Sequence, residues 1–119
     1  MSLSLSANGS QAKVVAEDPI KPKKYFSPAP IITNLKDPPQ RWIRMDIAYT
    51  FASTETDADV QRIGEELLQD AMAFLRTMSM KSLEGSLGLL FLRDELTDRA
   101  RTRSQGKVLN VIVRSMVIQ

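Results

Sequence analysis

The sequence predicts an α+β domain, a three-stranded mixed sheet in the order β-β-α-α-β with two main helices on one face. Three observations carry this reading. Residues 41–51 alternate apolar and polar side chains with the period of two that a half-buried strand requires. Two later stretches repeat apolar residues at helical spacing. The chain closes on a second strand-like run, 107–119, and the intervening helices make a connection long enough for a parallel crossover.

Residues 1–24 are rich in Ser, Ala, Asn, Gly, Lys and Pro without periodicity, and read as a disordered linker. As a flexible coil it would reach roughly 25–30 Å. Met1-Ser2-Leu3 has the look of an expression remnant. The folded domain is read as 25–119, beginning with an apolar stretch, 25–35, that carries Pro28 and Pro30. Proline cannot donate to a ladder, so this stretch is expected to be an edge strand. Lys36-Asp37-Pro38-Pro39 makes the next turn.

In 41–51, Ile43, Met45, Ile47, Tyr49 and Phe51 share one face; Trp42, Arg44, Asp46, Ala48 and Thr50 share the other. Thr56 is a good N-cap for the first helix, and Asp57 and Asp59 suit the dipole of its first turn. Val60, Ile63, Leu67, Ala71, Phe74 and Met78 form its apolar stripe. The pattern breaks over 79–85. A second helix is predicted over 86–103, with Leu89, Leu92, Leu96 and Ala100 as its stripe and Glu95 placed to pair with Arg99. Gln105-Gly106 ends it, with glycine in its usual C-terminal place.

Composition narrows the functions open to the chain. It has 119 residues, 43% apolar and 25% charged, enough for one core. It contains neither cysteine nor histidine. Zinc, iron–sulfur and haem sites therefore lose their usual ligands, and thiol nucleophiles and histidine-based triads are excluded. Residues 1–24 hold four lysines and two acids, leaving twelve basic and twelve acidic residues beyond them. The predicted domain is neutral, which argues against a nucleic-acid partner. No apolar run approaches the roughly 20 residues that span a bilayer.

Asp94, Glu95 and Asp98 could form an acid–base pair or a magnesium site. Arg93, Arg99 and Arg101 neutralise them, so the solvated face of a helix is the simpler reading. Glu65, Glu66 and Asp70 are read the same way. Gly85-Ser86-Leu87-Gly88 between two helices has the layout of a KH nucleic-acid module, the alternative reading of this chain. Its centre is Ser-Leu rather than basic, and a tight turn explains the glycines more simply. No catalytic, cofactor-binding or metal-binding residue is assigned.

The last strand is the most informative feature. Strict alternation puts Leu109, Val111, Val113 and Val117 on one face and Val108, Ile112, Met116 and Ile118 on the other. Both faces are then substantially apolar, whereas a sheet covered on one side usually shows a polar second face. Val108, Ile112, Met116 and Ile118, with Trp42 on the mixed face of its own strand, are the expected surface for self-association or a protein partner.

Four stretches resemble the FliL family of flagellar basal-body-associated proteins. Tyr25-Phe26-Ser27-Pro28 through Thr33-Asn34-Leu35 looks like its opening strand, and Arg41-Trp42-Ile43-Arg44-Met45-Asp46-Ile47 like its next one. Leu83-Glu84-Gly85-Ser86-Leu87-Gly88 through Leu92-Arg93-Asp94-Glu95-Leu96 is similar to its L-x-G-x-x-G and L-R-x-x-L segment. Val108, Val111 and Met116-Val117-Ile118-Gln119 match its terminus, with Met116 where phenylalanine is common. The resemblance implies a fold similar to stomatin-type SPFH domains and no cofactor. It implies the periplasmic domain of a single-pass inner-membrane protein whose transmembrane helix is absent from this sequence. The implied partners are the flagellar stator and basal-body proteins, the inner membrane through that helix, and further copies of the chain.

Overall fold

The structure, a computed structural model, describes residues 23–85 and 87–119. The linker reading of 1–24 lies outside the described residues except at Lys23 and Lys24, which already belong to a strand. The fold is α+β, as expected. Its elements are β1 (Lys23–Phe26), β2 (Ile31–Asn34), β3 (Trp42–Ala52), α1 (Asp57–Leu75), α2 (Met80–Leu83), α3 (Gly88–Arg103) and β4 (Val108–Ile118).

The sheet is antiparallel throughout rather than mixed. β4 pairs with β3 from Phe51↔Val108 to Ile43↔Ile118. β1 and β2 pair with the opposite ends of β3, at 49–52 and 42–45 respectively. A strand has two edges and β4 fills one, so β1 and β2 share the other. They are one edge strand interrupted at Ser27-Pro28-Ala29-Pro30, where the prolines remove ladder donors. The expected parallel crossover fails because two long helices make two traverses. α1 carries the chain away from the Phe51 end, α3 carries it back, and β4 must start beside Phe51 and run antiparallel.

Both helices sit on the face formed by Ile43, Met45, Ile47, Tyr49 and Phe51, all buried. Thr56 caps α1, its Oγ1 accepting from the Asp59 amide at 3.1 Å. Val60, Ile63, Leu67, Ala71 and Leu75 are its buried stripe. Gly64 belongs to the same stripe because a Cβ there would collide with the Phe26 ring, which lays β1 on α1. After α1, the Met78 carbonyl accepts from the Lys36 amide at 2.9 Å, and the Met80 amide donates to the Asp37 carbonyl at 2.8 Å. These bonds fasten α2 to the Trp42 end of the sheet. In α3, Leu92, Leu96 and Ala100 enter the core, whereas Leu89 is 44% exposed. Gln105 and Gly106 both take positive φ, as the helix end requires.

Asp70 is not the solvated carboxylate the sequence suggested. Its side chain is 17% exposed and receives two bonds from Arg99, Nε to Oδ2 at 3.1 Å and NH2 to Oδ1 at 2.9 Å. Arg103 Nε reaches Oδ1 at 2.8 Å. Arg99 also lies 4.8 Å over the Phe74 ring, so its hydrogen-bonded partner lies across the helix pair rather than at Glu95. The Asp70 hydrogen bonds hold the Arg99 guanidinium above its usual value. This cluster clamps α1 to α3 over the buried Tyr49, whose phenol is raised by burial and then by the Asp70 charge.

Candidate functional site

Among the described residues no helix covers the second face of the sheet, and the residues on it follow from the strand register. At one end Asn34 stands beside Trp42. Next comes the row Ile32, Arg44 and Val117, then Asp46 beside Ser115. Ala48 beside Ile112 and the row Tyr25, Thr50 and Asn110 complete the surface. Tyr25, Ile32, Trp42, Val117 and Ile112 are 56%, 54%, 46%, 47% and 38% exposed. Ala48 and Thr50 are buried although they lie on this open face, because they are small and flanked by larger neighbours.

Polar groups here are tied down locally. Ser115 Oγ donates to Asp46 Oδ2 at 2.8 Å, and Thr50 Oγ1 donates to the Asn110 carbonyl at 3.4 Å. Along the neighbouring edge, Arg101 Nε donates to the Leu109 carbonyl at 2.8 Å and the Val111 amide to Thr97 Oγ1 at 3.3 Å. α3 thereby satisfies part of the outer edge of β4. An open groove between α3 and the sheet is lined by Tyr25, Thr50, Thr97, Asp98, Arg101 and Ile112.

The structure divides the sequence-predicted surface residues between the two faces of the sheet. Trp42 and Ile112 lie on the open face. Val108 is 1% exposed, and Met116 and Ile118 pack against the core. Val117, expected on the covered side, is open. The cause is two register shifts in β4. Thr50 pairs with Asn110 and Phe51 with Val108, leaving Leu109 extra; Asp46 pairs with Ser115 and Ile47 with Val113, leaving Arg114 extra. Each bulge adds one residue to one strand and flips the alternation beyond it. The inward set is therefore Val108, Val111, Val113, Met116 and Ile118. Asn110 and the pair Arg114-Ser115, polar on either face of a strictly alternating strand, were the signal of the slips. Ile32 and Tyr25 were missed because facing in a short edge strand is set by its register against β3.

The carboxylates of α3 do not converge. Asp94 pairs with its neighbour Arg93 at 3.3 Å, and no group of three or more acidic side chains that could hold a metal occurs among the described residues. In the loop before α3, Gly85 takes φ +85°, and a Cβ on Gly88 would run into the Leu83 carbonyl. Both glycines thus serve the turn. Leu87 is 71% exposed, and Ser86 lies outside the described residues.

This arrangement offers an open sheet face on which exposed apolar side chains alternate with small or polar ones. No helix among the described residues is long and apolar enough to cross a membrane. The family model of the flagellar basal body-associated protein FliL matches residues 25–119. No curated protein sequence matches the chain.

Proposed function

The chain belongs to the FliL family of flagellar basal body-associated proteins, and on that premise we propose that it is a non-catalytic scaffold that supports the stator complex and motility. The family is one of structural basal-body proteins. The observation that carries the reading is the open sheet face, where Trp42, Ile32, Val117, Ile112 and Tyr25 are exposed together. Large apolar side chains exposed together on one face mark protein interaction sites. In this reading the face holds neighbouring copies of the chain and stator or basal-body proteins. The domain stands in the periplasm, tethered to the inner membrane by a single-pass helix outside this sequence. Its α+β unit is similar to stomatin-type SPFH domains, which associate side by side.

The test is genetic and graded. Replacing the chromosomal gene by one encoding Trp42→Asp with Ile112→Asp should reduce swarming and torque under viscous load as strongly as deleting the gene. Protein level should be preserved, because both side chains point away from the core. Full motility under load in both strains would overturn the proposal.

A further inference from the structure

We propose that the outer edge of β4 over 113–118 receives an extended segment of another protein, which joins the sheet as a further strand and sets a carboxylate toward Arg114. This edge is distinct from the open sheet face, and its use does not depend on the scaffold reading above.

Register fixes which backbone groups of β4 face outward. Trp42 and Gln119 exchange both backbone bonds, each at 2.9 Å. In an antiparallel ladder such exchanging pairs alternate with pairs whose amides and carbonyls point away from each other. Arg44 with Val117 and Asp46 with Ser115 therefore bond across, whereas Met116 and Ile118 turn their backbone groups to the outer side. Beyond the bulge the same alternation turns Val111 and Val113 outward, and the Val111 amide does donate outward, to Thr97. Among the described strands β4 pairs with β3 alone.

α3 closes half of this edge and leaves the other half. Leu89, Arg93, Thr97 and Arg101 lie at spacings of four along one stripe of the helix. Four helical residues advance about 6 Å, close to the ~6.8 Å of two residues in a strand, so the stripe keeps step with the outward positions of β4. Arg101 bonds the Leu109 carbonyl and Thr97 the Val111 amide. One step on, Arg93 lines the groove with Val113 but donates to Asp94 of its own helix at 3.3 Å. The last member, Leu89, has no hydrogen-bonding side chain and is 44% exposed. Among the described residues nothing bonds the outward backbone groups of Val113, Met116 and Ile118. A row of bare amides and carbonyls is complemented by another row of the same kind, which an extended polypeptide supplies. Leu89 favours an apolar side chain on the helix side of that segment. Arg114, extra in the bulge and exposed, has no ion pair among the described residues, which favours an acidic residue beside it. A second copy of the same edge, 113–118, offers an arginine and no acid.

The experiment follows single amides of the full chain by NMR hydrogen exchange. Its probe is a short synthetic peptide that alternates valine and threonine around one glutamate. In the chain alone the Met116 and Ile118 amides should exchange fast, while those of Ser115 and Val117 are protected by β3. Millimolar peptide should slow Met116 and Ile118 at least tenfold. Leu89→Lys, checked for folding by circular dichroism, should weaken peptide binding at least tenfold. Arg114→Glu should weaken it severalfold, and a peptide with lysine in place of glutamate should bind that variant better than it binds wild type. Exchange at both amides that millimolar peptide leaves unchanged overturns the added strand. Equal binding of both peptides to wild type and Arg114→Glu overturns the acidic partner. Protection of Met116 and Ile118 before any peptide is added overturns the proposal as well: protection lost on dilution assigns the edge to a second copy, and protection that survives dilution assigns it to another part of the same chain.

Discussion

The two faces of the sheet are made by the same strands and differ in what they are built to do. On the covered face Ile43, Met45, Ile47, Tyr49 and Phe51 are all buried, and every position is large. On the open face large residues alternate with small or polar ones, as in Trp42, Arg44, Asp46, Ala48 and Thr50 along β3. A fully buried large side chain stabilises by roughly 1.5–3 kcal/mol, so the first face holds the fold together. The second contributes little to the packing of the described residues, among which its large apolar side chains stay exposed. On the proposed reading stability and interaction are separated across one sheet, and substitutions should sort by face.

The largest effect is expected at the centre of the covered face. Phe51→Ala should cost about 3–5 kcal/mol, read as a lower denaturation midpoint in urea with an unchanged slope. The α1–α3 clamp comes next. Asp70→Ala leaves Arg99 and Arg103 without their carboxylate, and with Arg103 half exposed a loss of about 1–2 kcal/mol is expected. Asp70→Asn should recover part of it. Gly64→Ala would drive a methyl group into the Phe26 ring. About 1–3 kcal/mol should be lost as the ring moves, and hydrogen exchange should show faster opening of β1 than of β3.

The smallest effect concerns acid. The Lys24 hydrogen bond and charge hold Asp57 below the ordinary carboxylate range, and the Arg62 hydrogen bond does the same for Asp59. A lowered folded value means the contribution is complete above the unfolded value of 3.8 and disappears as pH falls through the folded one. Thermal midpoints measured across that window should drop less steeply in Lys24→Gln than in wild type, and high salt should shrink the difference.

Much of this contrast was legible in the sequence wherever it is locally encoded. The covered face of β3 follows from strict alternation. α1 follows from Thr56 and the repeat from Val60 to Met78, although the helix itself stops at Leu75, and the end of α3 follows from Gln105-Gly106. The prolines marked the edge strand, but its division into β1 and β2 shows only in the structure. Features that depend on partners distant in the chain were not legible. The bulges at Leu109 and Arg114 are fixed by pairing with β3, so alternation assigned Val108, Met116, Val117 and Ile118 to the wrong faces. Asp70 looked solvated because its arginines lie 29 and 33 residues away. Of the candidate surface, Trp42 and Ile112 were found from sequence. Val117, Ile32 and Tyr25 needed the register, and the exposed tip of α3 needed the packing of Leu92 to show which side faces out.

The division of labour between the faces is tested most directly by placing the same charge on each side of β4. Ile112→Asp and Met116→Asp should be compared by thermal unfolding and by sedimentation. Ile112→Asp should keep a thermal midpoint close to wild type and sediment as a monomer where wild type assembles. Met116→Asp puts a carboxylate against the core and should cost about 2–4 kcal/mol of stability. A stable, fully folded Met116→Asp beside an unfolded Ile112→Asp would contradict the account.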